Sequence, residues 1–131
     1  MPYVVKTCLY VTDLSQFKEL NAVYVESFGL KPPARVCVQI PGDEIIATFS
    51  FWNPENGGEF AKIQENIHVQ SVSKWAPPNI GPYSQLNKMR NLYFLAGNIG
   101  MYPPHLALIN TEDVILQYHQ VKHNFNQVLR L

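Results

Sequence analysis

Hydrophobic positions along this chain fall into short β-type runs and two helical stripes. Residues 3–11 (YVVKTCLYV) are rich in β-branched and aromatic side chains and read as a strand. Asp13 then offers an N-cap, with Thr12 before it and Gln16 placed to close a capping box. Leu14, Phe17, Leu20, Tyr24 and Phe28 recur at three- and four-residue spacing, one face of a helix that Gly29 ends. Asn21 falls inside that apolar stripe, where its amide needs a partner, because an unpaired buried polar group costs roughly 1–3 kcal/mol. Pro32-Pro33 excludes helix and leads into a strand over 34–40, with Val36, Val38 and Ile40 as its apolar face. Pro41-Gly42-Asp43 reads as a turn before a markedly apolar strand over 44–52.

Composition changes over 53–66 (NPENGGEFAKIQEN), where proline, a glycine pair and charges mark a linker. A strand over 67–73 follows, then an irregular segment over 75–85 holding three prolines, and a buried strand over 92–97. Residues 97–104 read as loop, and Thr111 as the N-cap of a last helix. Val114, Tyr118, Val121, Phe125 and Val128 form the buried stripe of that helix. Two one-faced helices among short strands predict an α+β domain, with both helices on one face of a mixed sheet.

Ten basic residues against ten acidic give no net charge in 131 residues. That excludes a strong electrostatic pull on nucleic acid or anionic membrane and removes self-repulsion. No run approaches the ~20 apolar residues that span a bilayer. The chain opens without a charged-then-apolar leader, so no secretion signal is expected. Cys8 and Cys37 are then expected as reduced thiols in the cytoplasm.

Arg35 begins a strand behind two prolines, a setting that can fix a guanidinium for bidentate capture of a carboxylate or phosphate. The plainer reading is a structural ion pair or a solvated strand end. Cys37 lies two residues on, on the same face; a nearby cation can activate a thiol, and a small buried hydrophobe is the alternative. His119 and His123 are one helical turn apart, a spacing that can chelate zinc, but no third ligand accompanies them, so no metal is expected.

The motif IGPYSQ at 80–85, with LAGNIG at 95–100, resembles the Rid family, the YjgF-like reactive intermediate deaminases. VVKTCLYVTDL at 4–14, NAVY at 21–24 and PPARVCV at 32–38 resemble the other half of that family. The order is inverted: residues 1–52 correspond to a C-terminal half, 53–66 to a linker and 67–131 to an N-terminal half. HVQSVSKWAPPNIGPYSQ resembles the tandem Rid-like tail of eukaryotic diphthine–ammonia ligases, whose ATP-using domain has no counterpart here. The resemblance implies a chorismate-mutase-like sheet closed in permuted order, or halves exchanged with a second chain. It also implies a homotrimer, no cofactor, and a cleft that binds a small carboxylate or a 2-keto or 2-imino acid. Arg35 matches the carboxylate clamp; Tyr83, Gly97, Asn21 and Cys37 match positions lining or supporting the cleft.

The family reaction is hydrolysis of an enamine or imine to a ketone and ammonia. This sequence departs where the water is handled: Phe49, beside Thr48, stands at the family's glutamate, and Glu44 comes too early on the strand. Ala96 replaces a serine and Asn98 a glutamine. The clamp is kept and the acid–base equipment is reduced, which predicts binding or assembly with weak or no catalysis. A working imine deaminase with Arg35 and Tyr83 as its catalytic groups, and a purely structural oligomerisation module, are the rival functions.

Overall fold

A computed structural model describes residues 3–52 and 64–130. The chain divides into two units, Met1–His68 with Gly81–Ala96, and Val69–Ile80 with Gly97–Leu131.

The first unit is organised around strand β1 (Val4–Val11), whose Val5, Thr7, Leu9 and Val11 are buried. Strand β2 (Ala34–Gln39) pairs with it in parallel and β3 (Ile46–Phe51) antiparallel on the other side. A parallel pair needs a crossover, supplied by a 3-10 turn (Leu14–Gln16) and helix α1 (Phe17–Ser27). Asp13 starts the turn by accepting the Ser15 N–H at 2.8 Å, bonds that hold its carboxyl below the usual range. Gln16 makes no side-chain cap bond, so the expected capping box is only half realised. Tyr24 and Phe28 pack ring on ring at 4.6 Å over Val4 and Leu9, with Leu20 and Cys37 beside them. The Tyr24 hydroxyl donates to Thr7 Oγ1 at 2.9 Å. Leu14, at the start of the expected stripe, is exposed.

The inward face of β2 corrects the expectation from alternation. Register places Arg35 opposite Thr7 and Cys37 opposite Leu9, so these two side chains share the face that meets α1. Arg35 is buried and Cys37 half-buried, while Val38 is exposed. Strand β3 is exposed throughout despite its apolar sequence, as an edge strand with one neighbour.

Strands β4 (Gln64–Ile67), β5 (Leu86–Met89) and β6 (Leu92–Leu95) form an antiparallel sheet in the same unit. A tight turn with Arg90 at φ 53° joins the last two. Most of the expected linker lies outside the described residues, but Gln64–Asn66 pair in β4. No strand covers 68–73, and β6 is exposed at Leu92 and Tyr93 where a buried strand was expected. The two sheets are tied by a parallel bridge between Ala34 and Ser84 and by Asn87 Nδ2, which donates to the Val5 carbonyl at 2.9 Å.

In the second unit a small hairpin, β7 (Met101–Tyr102) and β8 (Ala107–Leu108), packs with helix α2 (Val114–Leu129). The cap is Asp113, not Thr111: its carboxylate accepts the Ile115 and Leu116 N–H groups at 3.0 Å. Asn124 is fully buried and donates to the Met101 carbonyl at 2.9 Å. Gly100 is needed here, because a Cβ on it would lie 3.0 Å from the Gln117 backbone. The burial of α2 therefore centres on Asn124 and Val128, and Val114 and Tyr118 of the expected stripe are exposed. The described residues are thus α+β, with two α-helices and small sheets. Among the described residues no helix is long and apolar enough to cross a membrane.

Candidate functional site

Pro32 and Pro33 deliver the chain into β2, and Arg35, its second residue, is 3% exposed. Its guanidinium carbon lies 4.7 Å from the Tyr24 ring centre, 5.1 Å from that of Tyr83 and 5.3 Å from that of Phe17. Phe17, Asn21 and Tyr24 are at i, i+4 and i+7 on α1, which puts them on one face. Among the described residues, neither terminal nitrogen of Arg35 has a hydrogen-bond partner and both are buried, and the same holds for Oδ1 of Asn21. Gly81 closes in on both side chains: a Cβ there would lie 2.6 Å from Nη2 of Arg35 and 2.9 Å from Oδ1 of Asn21.

A polar network holds the Gly81-to-Gln85 segment. The Ser84 N–H donates to the Pro33 carbonyl at 3.1 Å and its hydroxyl to the Pro32 carbonyl at 2.6 Å. Asn66 Nδ2 donates to Ser84 Oγ at 2.8 Å and to Asn87 Oδ1 at 2.6 Å. His68 Nδ1 sits 3.3 Å from Ser84 Oγ. These bonds pin the proline loop to the start of β2, and so place Tyr83 over the arginine.

Burial draws the guanidinium pKa below its ordinary value, against the pull of Tyr24, Cys37 and Tyr83. Burial likewise pushes the Cys37 thiol up, with Arg35 opposing, so Cys37 behaves as a half-buried hydrophobe and not as an activated nucleophile. Desolvation raises the Tyr24 phenol. Three cation–π contacts contribute roughly 0.5–2 kcal/mol each. Removing an ion from water costs several kcal/mol, and each unpaired buried donor adds about 1–3. The setting is one in which an anion would supply what the protein does not.

The structure brings together Arg35, Asn21 and Tyr83, with Cys37 two residues along the same strand face. Gly97 belongs to the second unit and is exposed. Phe49 is opposite Thr7 on β3, so Arg35, Thr7 and Phe49 form one cross-strand row. Phe49 is two strand spacings, roughly 10 Å, from Arg35. His119 and His123 are exposed on α2, and no group of three metal-ligating side chains occurs among the described residues. Sequence reasoning missed Phe17 as a wall of the arginine box and the Asn66–Ser84–Asn87 network. The spacing of Phe17 four residues before Asn21 carried the first signal; the second was hidden by the linker-like composition around Asn66.

The chain is 35% identical to the diphthine–ammonia ligase of Saccharomyces cerevisiae over 124 aligned residues, 83% of this chain and 18% of that protein. It is 34% identical to the diphthine–ammonia ligase of Schizosaccharomyces pombe over 99 residues, 75% of this chain and 16% of that protein. A stretch of 46 residues is 46% identical to a RutC family protein of Pyrococcus abyssi, covering 33% of this chain and 36% of that protein. The chain carries a Rid-like region tied to the diphthine–ammonia ligases. This Rid-like region spans less than a fifth of the length of those ligases. No protein-family model matches the chain. No solved structure matches it either.

Proposed function

We propose that this Rid-like module of a diphthine–ammonia ligase-type protein binds a small carboxylate ligand at Arg35, with weak or no catalysis. The observation that carries the reading is the buried guanidinium whose terminal nitrogens have no hydrogen-bond partner among the described residues. Two parallel N–H donors match the two oxygens of a carboxylate. Asn21 and Tyr83 flank the bound group, and Cys37 borders it.

Imine hydrolysis also needs a group that activates water and moves a proton. The position of the family glutamate holds Phe49, which supports binding over turnover. The permuted Rid-like sheet and the role in diphthamide biosynthesis are part of the same proposal.

Titration calorimetry with 2-oxobutyrate tests it. Heat is expected with the wild-type chain, none with Arg35→Ala, and a weakened signal with Tyr83→Phe. The same binding in Arg35→Ala would refute the site. Ammonia release from 2-aminoacrylate above the buffer rate, lost in Arg35→Ala, would replace the binding module by a working deaminase.

A further inference from the structure

We infer that the groove beside α1 is a binding site for a small amine with an aromatic body, separate from the site at Arg35. The groove has a volume of about 410 Å³, inside the ~300–1,000 Å³ range of small-molecule pockets. All its lining residues belong to the first unit, and Arg35 is not among them.

Phe17, Tyr24, Phe28 and Phe49 supply its aromatic lining. These walls are held in place from outside the groove. Tyr24 stacks on Phe28 at 4.6 Å and is bonded through its hydroxyl to Thr7. Phe17 and Tyr24 also wall the arginine box. A pocket whose rings are already fixed asks little ordering of itself when a ligand enters. Val23, in the lining and 70% exposed, leaves the mouth open to solvent.

The charge of the groove selects the ligand. Its charged lining residues are Asp13 and Glu19, and it contains no lysine, arginine or histidine. Neither carboxylate is paired with a cation among the described residues. The Asp13 carboxylate is bonded to the N–H and hydroxyl of Ser15, which leaves it lone pairs for a further donor. Both acids sit toward the N-terminal end of α1, whereas Ser27 and Phe28 close the other end without charge. The helix dipole puts about half a positive charge at that N-terminal end, and two full negative charges outweigh it. A molecule with an ammonium at one end and a ring at the other satisfies both ends at once. A carboxylate, the ligand proposed for Arg35, is repelled here, so the two sites take opposite charges.

Ligand-observed NMR on the whole chain tests this with three probes of like shape: 2-phenylethylamine, 2-phenylethanol and phenylacetate. The amine is expected to bind saturably, about two- to fivefold tighter than the neutral alcohol, and the anion about tenfold weaker than the amine. Glu19→Gln should weaken the amine about two- to fivefold and leave the alcohol unchanged; it is preferred to a change at Asp13, which caps the turn. Ala47→Phe, at an exposed lining position on β3, should fill the groove and abolish binding of the amine and the alcohol while circular dichroism stays that of the wild type. No saturable binding of the amine by the wild type overturns the inference. So does an amine held no tighter than the alcohol, an amine indifferent to Glu19→Gln, or binding that survives in folded Ala47→Phe.

Discussion

Two cations of the first unit are held in opposite ways. Lys88, on β5, is at the surface with the Glu65 carboxylate 3.1 Å away, and hydrogen bonding to that group raises its pKa. Arg35, on β2, is enclosed by three aromatic rings with both terminal nitrogens unpaired. The fold provides an acceptor where water would have served and none where water is excluded. A cation kept in the second condition adds little to stability for what its desolvation costs, and the proposed carboxylate ligand would supply the acceptor it lacks.

That contrast can be broken most directly at Gly81. Gly81→Ala should destabilise the first unit by about 1–3 kcal/mol, because the guanidinium its Cβ meets is boxed in and has nowhere to move. The same variant should lose 2-oxobutyrate binding, read by calorimetry alongside urea denaturation. Arg35→Met should be more stable than wild type without ligand, by about 1 kcal/mol in urea, since it removes an unpaired buried charge and keeps most of the volume. Saturating 2-oxobutyrate should reverse that order by stabilising only the wild type.

A smaller effect is expected from His68, which shares the Ser84 network of the arginine box. Burial lowers its pKa from the ordinary 6.5, although a backbone bond to Tyr83 opposes the shift. The neutral ring is thus favoured in the folded state. Stability should be complete above pH 6.5 and fall as pH drops below it, a slope that His68→Gln should flatten in urea midpoints taken across that range. Smallest of all, Lys88→Met should leave the denaturation midpoint unchanged at any salt concentration, as expected for an exposed pair.

Much of the first unit was legible from residue spacing. β1, the α1 stripe from Phe17 to Phe28 and the strand behind Pro32-Pro33 are local patterns, and local patterns survive folding. The choice of face on β2 was not legible. Alternation defines two faces but not which meets the helix; that was settled by register with β1, a contact between distant segments. Asn66 was lost for a related reason: its strand is held by β5 and by side-chain bonds, while its own neighbourhood has linker composition. The juxtaposition of Arg35 and Tyr83 was expected only through family resemblance, since their 48-residue separation, read from the numbering, leaves no periodic trace. The α2 stripe was recognised as apolar, yet two of its members are exposed because the buried side of the helix is turned toward Asn124, a polar residue anchored to Met101.

The ties that seat the proline loop also set an order of events in refolding. Ser84 reaches Pro32 across 52 residues and Asn87 reaches Val5 across 82, whereas Tyr24 reaches Thr7 across only 17. Closing longer loops costs more chain entropy, and contacts of long sequence separation slow folding. Helix α1 and its parallel strand pair therefore acquire their signals early in a refolding experiment. Under the proposed function, carboxylate uptake is expected to return in a later phase, when Ser84 and Asn87 reach Pro32 and Val5.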